Sequence, residues 1–459
     1  AELRELFSER RKRAMWRAVW LALAASQARS GLVSPAELAD LRTHADEIDL
    51  ATATEIEREI GHDLMAEIRT FAAQAQVGGG KLHLGATSMD IEDTVEIARM
   101  RAALAHLGAR LHALLGAFAA RIGETAELAA MGYTHLQPAE PTTLGYRFAR
   151  YAQDLMTDEA ALRTAYEALR AKGLRGAVGT SASYARLLAG SGRSAREQER
   201  EILDGFDLEA QTVSGQTYPR KLDHLVLGAL AGLGASLSAF AFDVRVLASP
   251  GFGELAEPFG STQVGSSAMP FKRNPVLAER ICSLARLLPA YAQVAWQNAA
   301  TNLLERTLDD SANRRTTIPE AFLCADELLT LAERLVRGLR IDRRRIAENL
   351  VRFGPFAASE AILLEAVRAG ADRQRLHEHL RTLAMSAYER IEAGEPNPFA
   401  TMLLQDQTLR ALLGETRIRA LLEPHDHLGD AAERARELAL QIAELEPFPV
   451  PRTKLEVGL

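Results

Sequence analysis

Apolar side chains recur at intervals of three and four residues along most of the chain, whereas alternating β-branched stretches are nearly absent. The first pattern is typical of amphipathic α-helices and the second of strands. The sequence therefore predicts an all-α protein. The expected helical stretches are 3–28, 51–76, 90–123, 141–171, 221–248, 275–298 and 313–338.

The lengths of these stretches predict three helical domains. Residues 1–87 contain shorter helices, one of which is expected to begin with a capping box at Ser34-Pro35-Ala36-Glu37. Residues 88–340 contain helices of roughly seven to ten turns, which favour a central long-helix bundle. Short helices separated by Gly and Pro then predict a C-terminal domain at 341–459, with a loose tail from Pro447.

One helix is apolar enough to raise the question of a membrane span. Residues 225–242 have the required length, but Asp223 and Arg245 flank them closely and small residues occupy every face. A helix that is apolar all round must be buried somewhere, and we expect burial among other helices, with no membrane contact.

Charge and cysteine content narrow the class further. The net charge of −7 argues against a partner that is a nucleic acid or a membrane surface. Two cysteines, Cys282 and Cys324, do not make a disulfide framework or a metal cluster. The charged first residues lack a signal-peptide pattern, so we expect a reducing, cytoplasmic location.

Function is expected in the segments that interrupt the helices, because loops held by rigid elements carry chemistry. The loop at 260–275 joins paired serines to Lys272 and Asn274, which could offer a cation and an amide to an anion. Its glycines allow movement and its prolines stiffen the exit. A plain surface connection is the alternative.

A second interruption is Thr134-His135-Leu136-Gln137-Pro138. Proline disfavours helical geometry at the residue before it, so His135 is expected in an extended stretch preceding a helix from Pro141. A loop histidine can donate a proton near neutral pH, or it can be an ordinary hydrogen-bonding side chain.

Two further segments also allow two interpretations. Thr87 and Ser88 precede a long helix, where they could cap it or bind a carboxylate or phosphate. Residues 304–315 place three arginines beside three acids, which is either a solvated, salt-bridged stretch or a site for a phosphorylated dicarboxylate.

Together, in order and spacing, these segments resemble the fumarase/aspartase superfamily. The resemblance lies in residues Gly265–Pro275 of the loop at 260–275, which we call the signature loop. It lies also in the shared blocks Thr87–Asp90 and Thr134–Pro138. Residues 62–66, 214–221 and 305–315 resemble the branch that releases fumarate from succinylated purine nucleotides. Gly61 departs from that branch, which usually has a basic residue there, and the branch's Arg-Tyr pair is expected upstream of Ala1.

The resemblance implies an anti β-elimination with Ser266 as base and His135 as acid, and no metal or organic cofactor. Lys272 and backbone N–H groups would stabilise the alkoxide of Ser266. It also implies a homotetramer in which three subunits contribute to each active site. The implied substrate contacts are His62, Asp63, Thr87, Ser88, Thr134, Gln216, Lys272, Asn274, Arg280, Arg306, Ser311 and Arg315.

Three alternatives stay open on sequence grounds. A cycloisomerase of the same superfamily would share the Lys-Arg-Asn-Pro segment, although residues 305–315 speak against it. An inactive scaffold oligomer would be expected to have lost Ser266, His135 or Lys272, and all three are present. An unrelated helical interaction protein would leave the ordered motifs unexplained.

Overall fold

The computed structural model describes residues 1–260 and 262–452. Five helices open the chain, and the capping box predicted at Ser34 and Glu37 is confirmed. The expected helix at 3–28 is broken, because Ser8 caps a new helix by accepting the N–H of Arg11. The helices are α1 (Glu2–Leu6), α2 (Glu9–Ala28), α3 (Pro35–His44), α4 (Leu50–Ile60) and α5 (Asp63–Gln74).

The long helices form the expected bundle, and the all-α class is confirmed. Helix α6 packs on α7 and α13, while α10 packs on α7, α11, α12 and α13. Two of the expected helices are each divided into two. The stretch 51–76 is interrupted at Gly61 (φ 67°), and the stretch 275–298 is interrupted at Arg286. The helices are α6 (Ser88–Thr125), α7 (Leu144–Ala168), α8 (Ala182–Leu187), α9 (Ala195–Asp204), α10 (Lys221–Leu247), α11 (Val276–Ala285), α12 (Leu287–Ala300) and α13 (Ser311–Gly338).

A β-hairpin follows α6, at a place where the sequence predicted no strand. Its strands β1 (Ala129–Thr134) and β2 (Gln137–Thr143) pair antiparallel, with Thr134 opposite Gln137. The prediction of an extended His135 was wrong, because His135 has φ 54° and forms the hairpin turn. Thr143 then caps α7, which begins later than expected. A shorter antiparallel pair consists of β3 (Leu255–Ala256), which lies just before the signature loop, and β4 (Arg340–Ile341), which follows α13.

Most of the remaining helices enclose a second hydrophobic cluster, and the last helix packs back on the bundle. Side chains of α15 to α19 share one core, whereas α20 packs on α6 and α7. The prediction of a loose tail was wrong at Phe448, which is buried against the bundle; residues 453–459 lie outside the described part. The helices are α14 (Arg343–Phe353), α15 (Ala358–Arg368), α16 (Arg373–Glu392), α17 (Phe399–Gln405), α18 (Gln407–Leu413), α19 (Glu415–Leu421) and α20 (Ala431–Ala443).

Within the described part of the chain, two helices, α6 and α10, are long and apolar enough to cross a membrane by length and composition. Both are helices of the bundle, and each has a face packed on its neighbours. Part of α10 nevertheless stays uncovered in the single chain, where Leu225 is 37% and Phe242 is 55% exposed. The expectation of a fully buried helix is therefore not met within one copy of the chain. The division of the chain into three domains remains a prediction.

Candidate functional site

Several predicted site residues meet where helices begin. The N–H of Met65 donates to Nδ1 of His62 over 3.5 Å. Nε2 of the same ring lies 3.5 Å from Oγ of Ser88, the first residue of α6. The starts of α5 and α6 thus present an imidazole and a hydroxyl side by side.

The start of α13 adds charged groups to the same place. Arg315 donates to the Asp63 carboxylate over 3.0 Å. Both residues, together with Ser311, line a cavity of about 100 Å³ between α2, α5, α6 and α13. Glu92 lies in the same wall, where burial, with the charge of Asp63 adding to it, raises its pKa to about 8. Glu92 is therefore uncharged at neutral pH.

A buried charge network holds this end of the bundle together. Arg220 donates to Asp310 over 2.6 Å and to Asp93 over 3.1 Å, and each of the three residues is at most 1% exposed. Arg306 also donates to Asp310, over 3.2 Å. Buried charges persist only when they are paired, so this network fixes Arg306 relative to α6 and α10. The solvated interpretation of residues 304–315 is thus wrong for Asp310.

Gln216 reaches the same region from another segment. Its N–H donates to the carbonyl of Glu305 over 2.9 Å, and its side-chain Nε2 donates to the carbonyl of Ala177 over 3.1 Å. Eight predicted residues therefore gather at one end of the bundle, and we call them the helix-start cluster: His62, Asp63, Thr87, Ser88, Gln216, Arg306, Ser311 and Arg315.

The signature loop forms a separate group. Ser266 Oγ accepts the N–H groups of Met269 over 3.0 Å and of Ala268 over 3.3 Å. Two such donors favour negative charge on the serine oxygen, as a base would require. Lys272 and Arg280 point into solvent within the single chain. Ser261, also part of the loop, lies outside the described residues.

The ends of the signature loop approach each other closely. Nδ2 of Asn274 donates to the carbonyl of Gly265 over 3.3 Å. A Cβ atom at Gly265 would lie only 2.0 Å from the carbonyl oxygen of Lys272, so no larger residue fits there without movement. Glycine at this position therefore lets the loop close on itself.

The hairpin carries the third group, Thr134 and His135, at its exposed tip. The Tyr133 hydroxyl and Arg147 both donate to the buried Glu254, each over 3.0 Å, and these bonds anchor the hairpin to the bundle. His135 lines one side of an open cavity of about 420 Å³ that also contains Arg147. Because the strands are anchored to the bundle and the turn is exposed, the hairpin presents the His135 imidazole to solvent.

The length of α6 keeps the helix-start cluster away from the hairpin in one chain. The 38 residues of α6 span about 57 Å, with Ser88 at its start and the hairpin beyond its end. Helix α10 likewise begins beside the buried network and ends before the signature loop. Among the described residues, the cavity beside Asp63 and the cavity beside His135 share no lining residue.

Two residues with a large structural influence were not assigned a role from the sequence. Asp90 is the last residue of the block Thr87–Asp90, and Lys172 is one of six lysines in the sequence. They form an ion pair of 2.5 Å in which both side chains are fully buried. Because 82 positions separate them, no local pattern could have paired them. Among the described residues, no group of three or more His, Cys, Asp or Glu could hold a metal ion.

Comparison with known proteins identifies the family. A lyase family model matches residues 2–287, and a model described as the C-terminus of adenylosuccinate lyase matches residues 355–438. The adenylosuccinate lyase of Schistosoma mansoni is 36% identical over 93% of this chain and 89% of its own length. That of Saccharomyces cerevisiae is 35% identical over 97% and 94%, respectively.

A solved structure supports the fold. The 3-carboxy-cis,cis-muconate lactonizing enzyme of Pseudomonas putida superposes with a TM-score of 0.83 over 96% of this chain and 97% of its own, at 23% identity. At that identity the similarity shows the fold alone. The relatives that match over nearly the full chain show the adenylosuccinate lyase branch. The chain belongs to the adenylosuccinate lyase family, carbon–nitrogen lyases of the fumarase/aspartase superfamily.

Proposed function

We propose that the protein eliminates fumarate from adenylosuccinate, giving AMP, and from the imidazole precursor SAICAR, giving AICAR. Family membership over nearly the whole chain is the observation that carries this proposal. A small-molecule nucleotide substrate, a cytoplasmic location and the absence of a cofactor follow from it as parts of the same proposal. We also propose that the chain divides into three domains, with boundaries at residues 87–88 and 340–341.

Ser266 is the proposed base. As an alkoxide it removes a proton from the carbon next to a succinyl carboxylate, and the carbon–nitrogen bond then breaks with its electrons moving to nitrogen. The N–H groups of Ala268 and Met269 already point at the serine oxygen and support this role. Lys272 adds a positive charge nearby when the loop closes and excludes water.

His135 is the proposed acid, which gives its proton to the departing nitrogen. Its exposed position at a hairpin turn suits a group that completes the active site of another subunit. Thr134, on the same hairpin, is the proposed substrate contact beside it.

The substrate contacts divide into two ends. Thr87, Ser88, Lys272 and Asn274 are proposed to hold the succinyl carboxylates. The nucleotide end is proposed to contact the remaining residues: His62, Asp63, Gln216, Arg280, Arg306, Ser311 and Arg315. The cavity wall shared by Asp63, Ser311 and Arg315 supports this grouping.

A homotetramer with shared active sites is the proposed assembly. In one chain about 57 Å of helix α6 separates Ser88, in the helix-start cluster, from the hairpin that carries His135, so copies of the chain must combine to complete a site. Apolar side chains exposed in the single chain, among them Phe242, Phe271 (83%) and Leu304 (83%), provide surfaces for such contacts.

The test is to mix the purified protein with adenylosuccinate and follow the ultraviolet change as AMP and fumarate form. We expect turnover that is lost in Ser266→Ala and His135→Ala while the assembly, measured by light scattering, stays intact. Absence of turnover, together with activity on a carboxylated muconate, would contradict the proposed function and favour the cycloisomerase alternative.

A further inference from the structure

Asp90 is the most densely bonded buried carboxylate close to the proposed site. It accepts from Lys172 Nζ over 2.5 Å, from the Tyr184 hydroxyl over 3.1 Å and from three backbone N–H groups, those of Thr87, Arg175 and Gly176, over 3.0 to 3.2 Å. Lys172 and Asp90 are both fully buried. A buried ion pair is tolerated only with such complete bonding.

The partners of Asp90 come from two segments that both reach proposed substrate contacts. Thr87 and Ser88 lie directly before Asp90, so its bond to the N–H of Thr87 sets the entry of the chain into α6. The bonds to Arg175 and Gly176 hold the other segment, residues 172–184, against that same helix start.

The second segment in turn fixes Gln216. The carbonyl of Lys172 accepts the Ser214 hydroxyl over 2.8 Å, and the carbonyl of Ala177 accepts the Gln216 side chain over 3.1 Å. Gly179, with φ 80°, fits so tightly that a Cβ there would lie 2.0 Å from the Ser214 carbonyl oxygen. Movement at Asp90 would therefore reach Gln216 through packed backbone.

We propose that Asp90 and Lys172 are positioning residues that set the geometry of the carboxylate-binding end of the site, at Thr87 and Ser88, and the orientation of Gln216. The inference rests on the proposed function, since that function makes Thr87 and Ser88 contacts of the fumarate half. At the nucleotide end, Arg306 is held instead by the separate network of Arg220 and Asp310, and Arg315 is held by its ion pair with Asp63.

The test compares inhibition by the two products, fumarate and AMP, in Asp90→Asn and Lys172→Met. Fumarate inhibition is expected to weaken at least about tenfold, because donors displaced by a fraction of an ångström lose much of their strength. AMP inhibition is expected to weaken less than fumarate inhibition, because only Gln216 among its proposed contacts is tied to Asp90 here, whereas Arg306 and Arg315 are held elsewhere. Lys172→Arg keeps the cation and is expected to restore part of the fumarate affinity.

Two further variants separate positioning from loss of stability. Tyr184→Phe deletes one bond to Asp90 and is expected to fold normally while shifting fumarate inhibition in the same direction. Leu409→Ala lowers stability from the separate core of α15 to α19 and is expected to change neither inhibition constant. Equal weakening of fumarate and AMP, or no change in Tyr184→Phe and Asp90→Asn, would overturn the inference. A wild-type protein that neither turns over adenylosuccinate nor binds fumarate would overturn the proposed function instead, and this inference with it.

Discussion

Ser88 begins helix α6, and the hairpin that carries His135 follows the opposite end of the same helix. The 38 residues between Ser88 and Thr125 form one continuous rod of about 57 Å. A substrate of nucleotide size cannot touch both residues in one chain. Their separation is the structural reason to expect active sites built from several subunits.

Shared sites predict that two inactive variants restore activity when combined. If Ser266 and His135 of one site belong to different subunits, hybrids of Ser266→Ala and His135→Ala contain some sites with both wild-type residues. Random mixing leaves roughly one quarter of the sites intact in a closed tetramer. The measurement is adenylosuccinate turnover after the two variants are dissociated together and reassembled.

The control for this experiment reassembles each variant alone, which is expected to give no activity. A mixture that stays inactive, although light scattering shows reassembled hybrids, would mean that both residues come from the same subunit. Ser88, at the far end of α6, would then be the residue that comes from another subunit.

The geometry of the signature loop predicts that alanine lowers kcat sharply at Gly265 but not at Gly260. Gly265→Ala places a methyl group 2.0 Å from the Lys272 carbonyl oxygen, which forces the loop ends apart. Because the bonds to Ser266 lie within that loop, kcat is expected to fall at least about tenfold with little change in melting temperature. Steady-state kinetics and thermal denaturation check both expectations.

Gly260→Ala is the matched control, since a Cβ there meets no atom closer than 3.8 Å. It changes the same loop by the same methyl group, and kcat is expected to stay within about twofold of wild type. Equal effects of the two substitutions would show that loop flexibility, and not the close approach at Gly265, controls the reaction.

The helices could be predicted from the sequence because their signals are local. The capping box at Ser34 and the apolar periodicity of α6 need only neighbouring residues. The hairpin was missed for the opposite reason. Its strands contain Ala, Gly and three residues of low strand propensity, Pro138, Glu140 and Pro141, so pairing depends on packing against the bundle.

The site shows the same division between local and distant signals. Ser266, Lys272 and Asn274 occur in one short motif, so they could be grouped from the sequence. The pairing of Arg220 with Asp93, which lies 127 positions away, is visible only in the folded chain. Burial of such pairs follows from tertiary packing, which periodicity and composition do not encode.

The arginines of the helix-start cluster predict a selective loss of substrate affinity. Arg306→Ala removes a guanidinium from the proposed nucleotide end and is expected to raise KM at least about tenfold. Arg337→Ala removes an exposed arginine, paired with Glu333, near the other end of α13 and is expected to leave KM unchanged. An unchanged KM in Arg306→Ala would remove that residue from the proposed contacts.

The raised pKa of Glu92 predicts that the free energy of unfolding depends on pH. Burial raises its pKa from 4.5 to about 8 in the folded protein, so between these values the unfolded chain ionises while the folded chain keeps its proton. Stability therefore decreases as pH rises from 4.5 towards 8, by on the order of a few kcal/mol. Glu92→Gln cannot ionise, and its advantage over wild type is expected to be small at pH 5.5 and larger at pH 8.5.

Thermal denaturation of both proteins at the two pH values measures this difference. Glu59→Gln removes an exposed carboxylate on α4 and is expected to change stability equally at both pH values. A constant difference between Glu92→Gln and wild type would show that Glu92 ionises normally in the folded enzyme. Its carboxylate would then carry a negative charge into the cavity beside Asp63, where Arg315 and Ser311 are proposed to contact the nucleotide end of the substrate.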